Sequence, residues 1–281
     1  MRPDGKRILA ENPLYNLMPY VLTKRYDAMN MVTLDIPEAP LRAYMNAKRA
    51  EKQPMSHLAL LLTAYLRAVE KYPALNRFIS GNHKIYQRNN ISVAMVVLRP
   101  GGGSTMSKII LNEGDTVFDV QRKITDYVDT NRQGGGEQSG QAETNGLDKL
   151  VNFLLHTGPL LNILMWALRF ADRHGLLPKA ITDASPFHAS LLVSNLASIR
   201  CNHIYHHVYE FGTTSIAITL GNMREVPKRL RNGNVDLVRC IPMGVVMDER
   251  IESGHYLNSA FAYMKRYLDD PVLLEQKPVP Q

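Results

Sequence analysis

The chain has 281 residues, of which 45% are apolar and 21% charged, and its formal net charge is +7. This length allows one large domain with a sizeable core, and the composition is that of an ordinary globular protein. The first residues lack the apolar core of a signal peptide, and the two cysteines form neither a metal-binding spacing nor a disulfide framework. We therefore expect a cytoplasmic protein.

The positive charge has no obvious nucleic-acid pattern. The 33 basic residues are spread along the chain, without a basic block interleaved with aromatic residues. We do not expect nucleic acid as a partner. A phosphorylated small molecule would suit the sign of the charge, and so would a solvated basic surface.

The N-terminal third contains the clearest helix. Residues 1–25 hold three prolines and are expected to be irregular, whereas 26–36 read as a strand and 37–49 as a turn into a short helix. Apolar residues recur at spacings of three and four over 56–72, which predicts an amphipathic helix that begins at a serine N-cap. Pro73 follows directly and ends it.

The next segments alternate strands and helices. Residues 73–98 indicate a helix end, a hairpin and a buried strand, 108–112 another strand, and 115–131 an amphipathic helix. Residues 101–103 read as a glycine turn, and 133–146 are glycine-rich and poor in apolar residues, which predicts a flexible surface loop.

Residues 147–177 contain two apolar stretches, split by a Gly-Pro pair. Neither reaches the roughly 20 apolar residues that a membrane-spanning helix needs. We expect a helical insertion packed on the core. A helix lying at a membrane surface and a lining for an apolar group are the alternatives.

The last third ends in a strand, a charged turn and a helix. We predict strands at 187–196 and 213–220, paired as a hairpin, and a third strand at 235–247. A charged turn follows, and then a helix over 255–268, which is ended by Asp270-Pro271.

The closing segment carries a family resemblance. Glu249-Arg250-Ile251-Glu252-Ser253-Gly254, followed by a helix ending in Asp-Pro, resembles the C-terminal signature of the chloramphenicol acetyltransferase-like superfamily. Within it, the chain is most similar to the catalytic domain of the dihydrolipoamide acyltransferases of 2-oxo acid dehydrogenase complexes. Those families carry a His-x-x-x-Asp-Gly box. Glu249 here stands at the histidine position and Ser253 at the aspartate position.

Two further segments extend the resemblance over residues 20–130 and 185–275. The first, in the N-terminal half, is the order of a helix, a Pro-x-Leu-Asn sequence and a strand. The second is Ser190 to Leu196, which is similar to an Ile-Ser-Asn-Leu-Gly segment of the acyltransferases. The resemblance implies an α/β fold, an α+β two-layer sandwich in which helices cover a mixed sheet. We expect a single domain over 1–281, without a lipoyl or subunit-binding domain, and a homotrimer.

The resemblance also implies site residues. Ser194 matches the serine that donates a hydrogen bond to the oxyanion, and Glu249 stands where the family has its general base. Arg250, Ser253 and Gly254 belong to the structural turn of the box. Taken from the residues alone, the alternatives are that Ser194 bonds to neighbouring backbone and that Glu249 is an exposed turn residue paired with Arg250.

A histidine-rich segment offers another base. His206 and His207 lie in the predicted hairpin after Ser194, which helps to wall the site in the family. If the segment is a strand, alternate residues, His203 and His207 among them, share one face and His206 points the other way. A metal site through Cys201, His203 and His207 is geometrically poor, and we expect no metal.

The sequence therefore predicts an acyltransferase that moves an acyl group from a coenzyme A thioester to a thiol or hydroxyl, with an altered general base. The acceptor would be a small molecule or a lipoyl arm of another protein. The alternative is a non-catalytic trimeric scaffold or ligand-binding protein that retains the fold. A weak membrane-surface contact through 147–177 is a further expectation.

Overall fold

A computed structural model describes residues 2–98, 104–133, 158–230 and 232–278. Ten strands lie in these ranges: β1 (Gly5–Arg7), β2 (Met29–Pro37), β3 (Arg77–Ile79), β4 (Ile85–Arg88), β5 (Ile91–Leu98), β6 (Ser104–Leu111), β7 (Leu191–Asn195), β8 (Ile216–Leu220), β9 (Arg224–Arg229) and β10 (Val235–Asp248). Seven α-helices accompany them: α1 (Pro13–Val21), α2 (Glu38–Ala50), α3 (His57–Lys71), α4 (Val117–Gln133), α5 (Gly158–His174), α6 (Lys179–Ala184) and α7 (Gly254–Asp269). The predicted loop at 133–146 and the turn at 101–103 lie largely outside the described residues.

The strands form a mixed sheet and a small satellite sheet. The large sheet has the order β2-β10-β8-β7-β5-β6, and β9 pairs with the first half of β10. Strand β7 runs parallel to both β5 and β8, while the other neighbours are antiparallel. Strands β1, β4 and β3 form the satellite sheet. This mixed sheet with helices confirms the predicted fold class.

Helices cover one face of the large sheet. Every residue of α3 from Ala59 to Val69 is buried, and the Ser56 Oγ accepts a hydrogen bond from the Ala59 N–H at its start. The helix contacts α4 and α7 on its flanks. Alternate residues of the strands, such as Met243, Val245 and Ile218, point into this core. The predicted helix is confirmed as the centre of the helical layer.

The opposite face is covered by irregular chain. A smaller apolar cluster lies there, formed by Ala94, Leu192, Ala217 and Val246 with Val208 from the loop after β7. This arrangement contradicts the predicted hairpin. Strands β7 and β8 are parallel, so the chain between them crosses the sheet end to end, and residues 201–209 form no strand.

Two further expectations need correction. Residues 1–25 are not irregular throughout, because they contain β1 and α1. Asn12 caps α1 and Pro13 occupies its first turn, where the missing N–H costs no hydrogen bond. The strand predicted at 187–196 is shorter, since a 3₁₀ turn occupies Pro186–His188.

Helix α5 occupies the described part of the segment 147–177. Its apolar residues do not pack on the core: Trp166 is 66% exposed, and Asp172 is its one buried residue. Among the described helices, none is both long and apolar enough to cross a membrane.

Candidate active site

A buried ion pair fixes the turn at the end of β10. Asp248 is fully buried, and its two carboxylate oxygens accept hydrogen bonds from Arg250 Nε and Nη2, both at 2.7 Å. Arg25 Nε lies 3.5 Å from the same carboxylate. Arg250 therefore does not pair with Glu249, and the alternative of an exposed Glu249 paired with Arg250 is wrong. Its partner is the preceding aspartate, so the turn is held from inside.

Glu249 is half-buried at the tip of this turn. Its Oε2 accepts a hydrogen bond from Asn30 Nδ2 at 2.6 Å, and its backbone N–H donates to Ala28 O at 2.9 Å. Asn30 belongs to the start of β2, the edge strand beside β10, and Ala28 to the 3₁₀ turn directly before it. The carboxylate at the position of the family's histidine is thus held by a neighbouring strand and remains partly open to solvent.

The other residues of the box shape the start of α7. Glu252 forms an ion pair with Arg77 at 2.7 Å, and the Ser253 Oγ accepts a hydrogen bond from the Tyr256 N–H at 3.2 Å. Ser253 is therefore an N-cap. Gly254 is the first residue of the helix, and its position has ordinary φ and open space for a Cβ. The turn does not depend on a glycine there.

Ser194 belongs to a row of residues that crosses the sheet. It lies beside Thr219 of β8, which lies beside Gly244 of β10, which lies beside Thr33 of β2. Ser194 is half-buried. Within the described part of the chain, its hydroxyl makes no hydrogen bond, so the alternative of a bond to neighbouring backbone is not realised.

Ser194 and Glu249 are far apart in one chain. Glu249 follows Gly244 by five residues, which corresponds to about 17 Å along the strand at about 3.4 Å per residue. Two interstrand steps of about 4.8 Å separate β7 from β10 as well. A single chain therefore does not bring the two predicted groups together.

The histidine-rich segment lies flat on the sheet at the Ser194 row. A Cβ on Gly221 would stand 2.1 Å from His203 N, and one on Gly244 would stand 2.4 Å from Ile204 O. These glycines permit a close approach of backbone to backbone. The Thr219 hydroxyl bonds to both the N–H and the carbonyl of Ile204.

His203, rather than the predicted His206 or His207, faces the row. Its Nε2 lies 3.0 Å from Thr33 Oγ1, and the same hydroxyl lies 2.6 Å from Tyr205 OH. His206 Nδ1 bonds to the carbonyl of His207, which is itself exposed. From the sequence, His203 was a candidate only for one face of a strand and for a metal site. Gly244, a glycine inside an apolar strand, was the signal that backbone approaches there.

No cluster suited to a metal ion is found in the described ranges, where no three His, Cys, Asp or Glu side chains converge.

Comparisons with known proteins place the fold. No family model matches the chain, and no curated protein matches it. Among solved structures, a probable dihydrolipoamide acetyltransferase from Listeria monocytogenes shares 14% identity, with a TM-score of 0.58 and 95% of each chain covered. The dihydrolipoamide acetyltransferase of Azotobacter vinelandii shares 13% identity, with a TM-score of 0.58 over 95% of this chain and 94% of that one.

A chloramphenicol acetyltransferase is also similar, with 12% identity and a TM-score of 0.53 over 95% of this chain and all of the other. At these identities the likeness concerns the fold. It spans nearly the whole of each chain. The chain therefore has the fold of the chloramphenicol acetyltransferase-like superfamily, which confirms the resemblance found in its sequence.

Proposed function

We propose that the protein is an acyltransferase that moves an acyl group from a coenzyme A thioester to a thiol or hydroxyl acceptor. The observation that carries the proposal is the box turn. Asp248 and Arg250 hold Glu249 on a rigid, partly open support at the end of β10, where the resemblance places the general base. The solved structures of similar fold include acetyltransferases of both kinds named by the resemblance.

The chemistry requires a base and an oxyanion donor. The base takes the proton from the acceptor thiol or hydroxyl, whose sulfur or oxygen attacks the thioester carbonyl. Ser194 donates a hydrogen bond to the oxyanion that develops, which its uncommitted hydroxyl is free to do. Collapse of the intermediate breaks the carbon–sulfur bond, and the departing coenzyme A thiolate receives the proton from the base.

Two groups compete for the role of base. Glu249 occupies the family position, whereas His203 is the histidine nearest the Ser194 row. His206 and His207 stay candidates only if substrate binding moves their segment. A glutamate suits a hydroxyl or thiol acceptor less well than an imidazole at neutral pH, so acceptor identity and base identity are linked.

The proposed site lies between subunits. The separation of about 20 Å between Ser194 and Glu249, which follows from strand spacings, requires a second copy of the chain to complete the pair. We propose a homotrimer, in line with the resemblance. The acceptor is a free small molecule or a lipoyl arm of another protein. The free cysteines Cys201 and Cys240 support a reducing compartment such as the cytoplasm.

A non-catalytic scaffold is the second candidate. The observation in its favour is the 2.6 Å bond from Asn30, which commits one carboxylate oxygen of Glu249 to the protein itself. The exposed apolar residues of α5 also suit an assembly or a membrane surface better than solvent.

The deciding experiment follows release of free coenzyme A. Acetyl- and longer acyl-coenzyme A thioesters are incubated with a panel of thiol, hydroxyl and amine acceptors. We expect turnover that falls about 10²- to 10³-fold in Ser194→Ala, which loses the oxyanion donor. Loss of the base, in either Glu249→Gln or His203→Ala, should cost about 10²- to 10⁴-fold.

His207→Ala tests the remaining candidate of the histidine-rich segment, and His174→Ala is the matched control, since it removes an exposed imidazole on α5 that bonds only to the Phe170 carbonyl. If no acceptor gives turnover and coenzyme A does not bind in calorimetry, the acyltransferase function is excluded and the non-catalytic scaffold is the remaining candidate. Retention of full rate in both Glu249→Gln and His203→Ala would assign the base elsewhere.

A further inference from the structure

A cationic cleft lies beside the box turn, and Arg250 of that turn lines it whereas Glu249 does not. Its volume is about 580 Å³, in the range of small-molecule sites. It is lined by the turn before β2, the β3–β4 turn, the end of α5, and Glu210, Gly212 and Arg250. Five cationic side chains (Lys24, Arg25, Arg169, Arg173 and Arg250) face two acidic ones (Asp172 and Glu210).

The acidic groups near the cleft are already committed. Asp172 pairs with Arg2 at 2.7 Å and accepts hydrogen bonds from His188 and the Gly212 N–H. Glu210 accepts from the Tyr26 N–H at 3.0 Å. Asp248, buried behind the lining, must serve both Arg25 and Arg250. Two buried guanidinium groups share one carboxylate, so an excess positive charge remains in the wall.

One polar atom of the wall is left without a partner. Ser80 is 5% exposed and lines the cleft, yet its Oγ has no hydrogen-bond partner in the described residues. Arg25 is 4% exposed, and its Nε faces Asp248 at 3.5 Å. Buried polar groups are normally satisfied, because leaving one unpaired costs free energy. Burial lowers the pKa of Arg25, which Asp248 opposes and Arg250 reinforces.

Exposed cationic side chains line the rim of the cleft. Lys24 and Arg169 are exposed and have no partner among the described side chains, and Arg173 makes one 3.3 Å hydrogen bond to Asn82. Buried cations at the back and exposed cations at the rim suit an anion with several oxygens and more than one charge. The donors of Arg25 and Arg250 already bond to Asp248 and to backbone carbonyls, so these two residues contribute charge. A phosphate group fits the cleft better than a single carboxylate, because Lys24, Arg169 and Arg173 at the rim and the Ser80 hydroxyl in the wall offer several donors.

We propose that this cleft binds the phosphate group of a phosphorylated small molecule. The ligand's remainder would occupy the rest of the volume, which is larger than a free phosphate requires. Binding of the phosphate group involves no acyl transfer, so it is measured without turnover and stands or falls independently of the proposed function.

The test is calorimetric titration with inorganic phosphate, glucose 6-phosphate and coenzyme A, with the fluorescence of Trp166 as a second readout. The chain has one tryptophan, and it lies one turn before Arg169 on α5. We expect saturable binding of at least one phosphorylated probe. Ser80→Ala, which leaves the charge unchanged, should weaken it about tenfold through loss of a hydrogen bond to a charged group. Lys24→Gln with Arg169→Gln, both exposed, should weaken it by about 30-fold or more.

Arg229→Gln is the control, because it removes an exposed positive charge on β9, outside the cleft. If coenzyme A loses affinity in Ser80→Ala together with phosphate, the cleft holds a phosphate of the acyl donor. If only phosphate or sugar phosphate loses affinity, the ligand is a separate molecule. Absence of binding by every phosphorylated probe, or equal weakening by Arg229→Gln, overturns the proposal.

Discussion

At the scale of the residue, Asp248 contributes more to the structure of the turn than the residues that define the box. It is fully buried between two arginines and fixes the turn that presents Glu249. The box pattern singles out Glu249 and Ser253, whereas Asp248, the residue directly before the box, stabilises the turn. Ion pairing inside the protein is costly to break from one side, since the remaining charges stay buried.

Replacement of Asp248 by asparagine should destabilise the fold strongly. Two buried guanidinium groups would lose their shared counter-charge, so we expect the free energy of unfolding to fall by about 3–5 kcal/mol. Urea denaturation followed by circular dichroism measures it. Asp129→Asn, an exposed position on α4, makes the same chemical change and should shift stability by less than about 0.5 kcal/mol. Equal stability of the two variants would contradict the buried network.

At the scale of the element, α5 and α7 are attached in different ways. Helix α5 holds to the body through the Asp172 network at its end rather than through its apolar residues. Helix α7 packs a stripe of apolar residues, including Leu257, Phe261 and Met264, and starts at a side-chain cap. A polar anchor is sensitive to pH, whereas a cap and an apolar stripe are not.

The Asp172 anchor should make stability depend on acid. Burial alone would raise the pKa of Asp172, but His188 and Arg2 outweigh it and hold the pKa at about 2, against an ordinary 3.8. The unfolded chain therefore binds more protons between these values, and the stabilisation is lost as the pH falls from about 4 to about 2. Asp172→Asn should cost about 2 kcal/mol at pH 7.

The measurement compares the free energies of unfolding of wild type and Asp172→Asn at pH 7, 4 and 3, where the difference should shrink with acid. Asp183→Asn is the control. Its ion pair with Lys179 on α6 is exposed, and its loss should be worth less than about 0.5 kcal/mol at every pH. A pH-independent difference for Asp172→Asn would show that its role is packing alone.

The N-cap of α7 gives a smaller effect. Ser253→Ala leaves the Tyr256 N–H without its acceptor, so we expect a loss of about 1 kcal/mol in thermal or urea unfolding. Ser259 lies on the same helix and donates to the His255 carbonyl at 2.9 Å. Ser259→Ala should be neutral or slightly stabilising, since alanine is the better helix former. A larger loss of stability in Ser259→Ala than in Ser253→Ala would show that Ser253 does not cap the helix.

The elements that the sequence predicted well are those with strong local signals. Helix α3 has apolar spacing, a serine cap and a terminal proline, and β10 has a long apolar run. Helix α1 was missed because Pro13 was read as a breaker, although it sits in a helical first turn. The pairing of β7 with β8 was predicted wrongly because chain adjacency favours a hairpin, while the actual order depends on contacts between distant segments.

The candidate site shows the same limit. Local pattern placed Ser194 in a strand and Glu249 in the turn after one, and the structure has both there. Nothing local reveals that Asn30 holds one carboxylate oxygen or that His203 lies against Gly244. Such contacts join segments some 40 to 220 residues apart in the chain. They depend on the tertiary arrangement.

At the scale of the whole molecule, the proposed acyltransferase site is not completed by one chain. Ser194 and Glu249 lie at opposite ends of the sheet, so the proposed site needs the Ser194 end of one copy and the Glu249 end of another. In a closed ring with repeated interfaces, each interface then holds one site. Mixed assemblies of two inactive variants test this directly, because one chain can supply what the other lacks.

We expect activity to return when Ser194→Ala and Glu249→Gln are unfolded together and reassembled at equal amounts. A site works only where an intact serine from a Glu249→Gln chain meets an intact glutamate from a Ser194→Ala chain. Random mixing in a ring makes about a quarter of the sites wild type. Rates of coenzyme A release before and after mixing measure it, with light scattering to confirm the same assembly. Each variant reassembled alone is the control, and a mixture as inactive as its parents would place both groups in one chain's site.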